Sequence, residues 1–348
     1  MPLDMTAKTN PGRFFEDYTL GQVIPHAVPR TVSGGERVLY HALYPARHAL
    51  YSSDEFARSC GLPAAPLDDL AAFHVVFGKT VPDISLNAVA NLGYAEGNWR
   101  LPVYPGDTLR SESEVIGLKQ NSNGKSGVVY VRTRGLNQRD DVVMDYVRWV
   151  MVRKSNLDAP APDTVIPDLQ KVIPASDLVI PEGLDFTNYD FTLAGEPHRW
   201  GDYAVGETID HVDGVTIEEA EHMLATRLWQ NTAKVHFDAT FRPDGQRLIY
   251  GGHIISLARA LSFNGLANAQ MIAGLNGGAH ANPCFSGLTV KAWSEVLDKA
   301  ETAAPGVGAI RLRLVATSGG APFTLKGEDG KYLPHVLLDL DYWALMPL

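Results

Sequence analysis

Cysteine is nearly absent from this chain. Cys60 and Cys284 are the only two in 348 residues, and they lie far apart. That excludes a disulfide framework and a cysteine-based zinc site. No apolar run approaches the length needed to cross a bilayer. Met1 to Lys8 lack the apolar core of a secretory signal. Positive charge is also in deficit, with 30 Lys and Arg against 40 Asp and Glu and a formal net charge of −10. A nucleic-acid binder would normally carry a basic surface, so that class is set aside. An anionic small molecule is still admissible, because it needs only local cations and helix-start amides. Neither a G-x-S-x-G nucleophile motif nor a metal spacing among His236, His253 and His280 is present. Gly124-Lys125-Ser126 imitates the end of a phosphate-binding loop, but Lys119 stands where its first glycine belongs. These absences predict free thiols in a cytoplasmic setting, with no metal, no membrane and no nucleic acid as partners.

What is present is a duplication. Asp17-Tyr18-Thr19-Leu20-Gly21 recurs as Asp202-Tyr203-Ala204-Val205-Gly206, an offset of 185 (202 − 17). Gly106-Asp107-Thr108-Leu109 recurs as Gly287-Leu288-Thr289-Val290, an offset of 181 (287 − 106). The strand-like Asp145-Tyr146-Val147-Arg148-Trp149 echoes Asp339-Leu340-Asp341-Tyr342-Trp343. Three matches in one order make two copies of one unit. The copies are placed at residues 1–155 and 197–348. Residues 156–196, punctuated by Pro160, Pro162, Pro167, Pro174 and Pro181, read as an extended linker.

Each copy runs in the same order: a short strand, helical segments, a polar bend, one longer helix, then strands. Leu67–Phe77 and Gly252–Ala269 read as the long helices, both too apolar all round for a surface. Val128–Arg134, Val142–Val152, Ile310–Ala316 and Val336–Leu345 alternate as strands. Gly124 supplies a tight hairpin turn. The expected class is α+β, with a buried helix wrapped by an antiparallel sheet, twice over.

The chemistry concentrates in Leu228–Asp238. Asn231, His236 and Asp238 put an amide, an imidazole and a carboxylate within eight residues, ahead of the pair Gly251-Gly252. This spacing resembles the MaoC-like hydratases and dehydratases of the hot-dog fold. The P-x-x-x-G-D-T-L strand opening, Pro102–Leu109, and its second version, Pro283–Val290, carry the same resemblance. Trp229–His236 and Ile255–Gly265 are similar to the branch of that family acting on mesaconyl-CoA. The resemblance implies a tandem hot-dog fold, no cofactor beyond the CoA of the substrate, and reversible addition of water to a branched dicarboxylic enoyl-CoA. A homodimer or larger homo-oligomer is expected with it. The broad family has aspartate where this chain has Asn231, so a His–Asp proton pair at those places is excluded.

Hydration of an enoyl thioester needs a base for water, a proton for the α-carbon and a stabilised enolate oxygen. His236 is the expected acid/base, since imidazole titrates near neutrality. Asn231 is expected to position water or substrate. The N–H of Gly252 is expected to meet the thioester oxygen, a contribution of roughly 3 kcal/mol. Gly251, Lys234, Arg47 and His48 are candidates for substrate binding, with Arg227 a further cation for the distal carboxylate. Any additional carboxylate is drawn from Asp238, Glu218, Asp68 and Asp69. At offset 185 the twins of His236 and Asn231 are Tyr51 and Ala46. One active site per chain, carried by the second copy, follows. The competing readings are an (R)-specific hydratase of monocarboxylic enoyl-CoA, an acyl-CoA thioesterase and a non-catalytic acyl-CoA binder.

Overall fold

The structure, a computed structural model, describes residues 8–320 and 323–348. Most of the N-terminal stretch read above for a secretory signal, residues 1–7, lies outside the described residues. The first copy begins with strand β1 (Val23–Thr31) and the helices α1 (Gly34–Leu43), α2 (Ala49–Ser52) and α3 (Asp54–Ser59). The long helix α4 (Asp69–Thr80) follows, running on into a π-helical turn at Val81–Ser85. Strands β2 (Ala88–Trp99), β3 (Thr108–Gln120), β4 (Ser126–Leu136) and β5 (Val142–Arg153) complete it. After the short α5 (Phe191–Ala194), the second copy repeats the order: β6 (Thr208–Thr216), α6 (Glu219–Leu228), α7 (Lys234–Phe237), α8 (Gly251–Leu261) and α9 (Phe263–Leu266). It ends in β7 (Met271–His280), β8 (Thr289–Glu301), β9 (Val307–Ser318) and β10 (Val336–Pro347).

The strands form one ten-stranded sheet in the order β1-β3-β4-β5-β2-β7-β10-β9-β8-β6, which reads as a palindrome of the two copies. The seam is the antiparallel pair β2–β7, with Tyr94 opposite Gly278 and Asn98 opposite Gly274. The duplication extends to single hydrogen bonds. Thr31 meets Thr108 at 2.8 Å, and Thr216 meets Thr289 at 2.8 Å. His26 Nε2 meets Ser113 Oγ, and His211 Nε2 meets Ser294 Oγ, both at 2.8 Å.

Helix α4 is buried along its whole length and α8 from Gly252 to Leu261, as their all-round apolarity requires. The second long helix is shorter than the sequence pattern suggests. Asn264 leaves helical geometry, and Gly265 adopts φ +96°, so the chain turns within α9. Residues 156–196 form a packed strap. Val165 bridges to Leu118, Ile173 accepts from the indole of Trp343 at 3.0 Å, and Phe186 and Tyr189 are buried against the sheet. Gly124 takes φ +66° in the β3–β4 hairpin, the turn that its sequence predicts. No helix among the described residues is long and apolar enough to cross a membrane.

Where α4 meets α8, the core is polar. His74 Nε2 lies 2.7 Å from Ser256 Oγ, and its Nδ1 lies 3.1 Å from the Tyr250 hydroxyl. His253 Nδ1 meets the Tyr44 hydroxyl at 3.2 Å. Burial pushes the imidazoles of His74 and His222 down to about 3, and those of His211 and His253 to about 4. Their folded values lie below the unfolded value of about 6.5, so the stability they confer is present above that pH. It is lost as pH falls toward about 4, at about 1.4 kcal/mol per pH unit for each residue that protonates only on unfolding. The urea midpoint is therefore expected to be much lower at pH 5 than at pH 7.5. Equal midpoints at the two pH values would refute this account.

Candidate active site

A cavity of about 340 Å³ opens between the two copies. The first copy supplies its deep wall from Phe77 and Val81 at the end of α4, with Asn91 and Tyr94 of β2 and Arg148 of β5. The second supplies Asn231, His236, Gly251 and His280. Among the described residues, no aspartate or glutamate lines it.

His236 sits on the single turn of α7. Its Nδ1 lies 2.7 Å from the carbonyl oxygen of Leu248. A carbonyl only accepts, so Nδ1 carries the proton and Nε2 keeps its lone pair. Desolvation lowers the imidazole to about 4, opposed in part by that carbonyl. The ring is therefore a neutral base of fixed tautomer near pH 7. Asn231, which is buried, closes the turn after α6 by donating its N–H to Thr226 O at 2.9 Å. Its side-chain oxygen accepts from Ala233 N at 3.3 Å. This loop rests on the first copy's helix. A Cβ on Gly78 of α4 would lie 1.7 Å from Trp229 O, so only glycine admits the contact.

The start of α8 faces the same space. No side chain caps it, since Tyr250 at the capping position makes no such bond. Gly251 lines the cavity, and a Cβ there would stand 2.4 Å from the ring of His280. Gly252 is buried behind it, where a Cβ would stand 2.4 Å from the Tyr250 ring. His280 Nε2 meets the Tyr94 hydroxyl at 3.2 Å, and burial lowers His280 to about 4.

An amide, a neutral imidazole and an uncapped helix start thus converge on one cavity between two copies of one fold. The sequence model of the family described as mesaconyl-CoA hydratase matches residues 1–321. The chain is 80% identical to the mesaconyl-CoA hydratase of Cereibacter sphaeroides over 341 residues, covering 98% of this chain and 99% of that protein. The chain belongs to the mesaconyl-CoA hydratase family. It is also 58% identical to the beta-methylmalyl-CoA dehydratase of Chloroflexus aurantiacus, over 99% of both chains. Among solved structures, a putative MaoC domain protein dehydratase from Chloroflexus aurantiacus matches with a TM-score of 0.96 at 58% identity, covering 98% of this chain and 99% of that one. A conserved hypothetical protein of Mycobacterium tuberculosis, described as having a double hot-dog fold, matches with a TM-score of 0.76 at 24% identity, over 96% and 98% of the two chains. The tandem hot-dog architecture of the family is the architecture of this chain.

Several residues singled out in the sequence of this family member lie away from the cavity. Asp238 is exposed. Its carboxylate accepts from the N–H and hydroxyl of Thr240 at 2.9 and 2.7 Å, which holds its pKa below the usual range. Lys234 is exposed. Arg47 is exposed, with its guanidinium 4.4 Å from the centre of the Phe263 ring. His48 is buried, and its Nε2 accepts from Arg259 at 2.6 Å. Neither His280 nor Arg148 stands out in the sequence. The signal for His280 is its place at the end of the strand that follows α8.

The twin site in the first copy is filled. Helix α2 stands in register with α7 at offset 185, which sets Tyr51 opposite His236. Asp69 opens α4 as Gly251 opens α8. Its carboxylate receives the Tyr51 hydroxyl and the N–H of Ile272, the latter at 2.7 Å. Burial raises the Asp69 carboxyl to about 7. A Gly78→Ala substitution drives a methyl into the Trp229 carbonyl under the active loop. Its expected cost is about 3 kcal/mol, seen as a Tm lowered by roughly 5 °C or more. A melting curve matching the wild type would show that the contact is not tight.

Proposed function

We propose that this chain is a hydro-lyase that reversibly adds water across the C=C bond of mesaconyl-CoA, giving β-methylmalyl-CoA. The observation that carries the reading is His236: a neutral imidazole of fixed tautomer, with Nε2 unprotonated, on a cavity between the two copies. The names of the relatives at 80% and 58% identity support the substrate.

In the hydration direction, His236 Nε2 takes one proton of a water held by Asn231. The water oxygen bonds to the β-carbon while the π electrons move onto the thioester oxygen as an enolate. The helix-start amide of Gly251, which lines the cavity, stabilises that oxygen, helped by the α8 dipole. Collapse of the enolate takes a proton at the α-carbon, either the one held on His236 or one relayed by His280. With no carboxylate among the described residues that line the cavity, imidazole chemistry replaces the His–Asp pair of the broad family. The proposal includes a homodimer and a reducing cytoplasm. The latter suits Cys60 and Cys284, both buried and unpaired.

The direct test mixes purified protein with mesaconyl-CoA and follows the enoyl absorbance. Hydration without release of free thiol is expected; thiol release alone would identify a thioesterase instead. His236→Ala is expected to lower kcat by a factor of about 10² to 10⁴, and near-full activity in that variant would overturn the assignment. The base form of His236 predominates above its value of about 4. Hydration should therefore be level from pH 6 to 8 and fall only as pH drops toward that value, a profile that initial rates check.

A further inference from the structure

Arg148 is fully buried, yet none of its partners is anionic. It is 0% exposed, and among the described residues no carboxylate lies within ion-pair distance of its guanidinium. Its hydrogen bonds go to neutral hydroxyls, Nη2 to Thr80 Oγ1 at 2.7 Å and both Nη atoms to Ser85 Oγ at 3.4 to 3.5 Å. Among the described residues, its Nε atom has no hydrogen-bond partner. The cation lies over the Phe77 ring, 4.3 Å from its centre. A buried charge in such surroundings is costly unless something completes its coordination.

The cavity wall around it is also incomplete. Asn91, on the same wall, has both side-chain polar atoms buried without partners. Ser85 lines the cavity beside it. The twin of Arg148 gives a further sign. Arg148 pairs with Tyr94 across β5–β2, and the matching place across β10–β7 is Tyr342 opposite Leu275. The arginine thus occurs on the copy whose wall faces the open cavity, and a tyrosine stands where the twin cavity is filled.

We infer that Arg148, assisted by Asn91 and Ser85, is the specificity-determining anchor for the distal carboxylate of the substrate. The inference rests on the dicarboxylic enoyl-CoA reading above. In mesaconyl-CoA that carboxylate is bonded to the carbon that water attacks. An arginine fork takes a carboxylate in two parallel bonds, which fixes that carbon in position and orientation as well as charge. Binding also neutralises the carboxylate, which leaves the β-carbon more open to attack. Monocarboxylic enoyl chains, lacking the group, would leave the guanidinium unpaired in a dry wall and are rejected for that reason.

The test is binding, measured by calorimetry with two saturated thioesters that cannot turn over. Methylsuccinyl-CoA carries the terminal carboxylate; 2-methylbutyryl-CoA has a methyl group in its place. Wild-type protein is expected to prefer the first by at least tenfold. Arg148→Met should abolish the preference, and Arg148→Lys should reduce it. Asn91→Asp, which sets a competing carboxylate in the wall, should reduce it at least tenfold and serves if Arg148→Met fails to fold. No preference in the wild type, or a preference undiminished in the folded variants, overturns the inference. Preference without hydration of mesaconyl-CoA would sink the hydratase reading and leave this one standing. Hydration without preference would do the reverse.

Discussion

Everything at the active site depends on two buried helices being pressed together inside one sheet. Polar groups line the contact of α4 with α8 and its flank: His74 bonds to Ser256 and Tyr250, and His253 bonds through Nδ1 to Tyr44 at the end of α1. A polar contact of this kind fixes register, because sliding either helix leaves several buried groups without partners. It also decides which imidazoles are neutral. Burial holds His74 and His253 uncharged, and desolvation also lowers His236, which is half-buried on the neighbouring cavity.

The cavity belongs to neither copy alone. The second copy brings the imidazole, the amide and the helix start; the first brings Phe77, Val81 and the arginine. Gly78 is the hinge point of the arrangement in a static sense. Its missing side chain lets the loop carrying Asn231 rest directly on α4. The imidazole and the arginine therefore face the cavity from different copies, joined through one ten-stranded sheet.

The parts of the protein legible in its sequence are those governed by local pattern. The duplication could be read because strand and turn motifs recur, and its offsets carried over to the register of α2 on α7. His236 and the glycine pair stood out because they lie close together in the chain. Arg148 and His280 did not, because each meets the cavity only through pairing across strands remote in sequence. Arg148 looked like one more charged residue on an alternating strand. Gly265 was visible, but the apolar run on either side of it argued for one continuous helix. The strap of residues 156–196 read as a linker because proline density reports what a segment cannot form. It does not report what the segment buries.

The filled twin site has a consequence for how its residues can be exchanged. In the first copy, Asp69 stands at the helix start and Tyr51, bonded to it, stands where the second copy has His236. The two residues are interdependent. Placing histidine at position 51 alone would leave the Asp69 carboxyl in the space a substrate would need. Placing glycine at position 69 alone would strip the Tyr51 hydroxyl and the Ile272 amide of their acceptor. Neither single change is favourable, so the two residues keep the twin site closed as a coupled pair. The asymmetry of the molecule is thus held by a pair of side chains that can be exchanged only together.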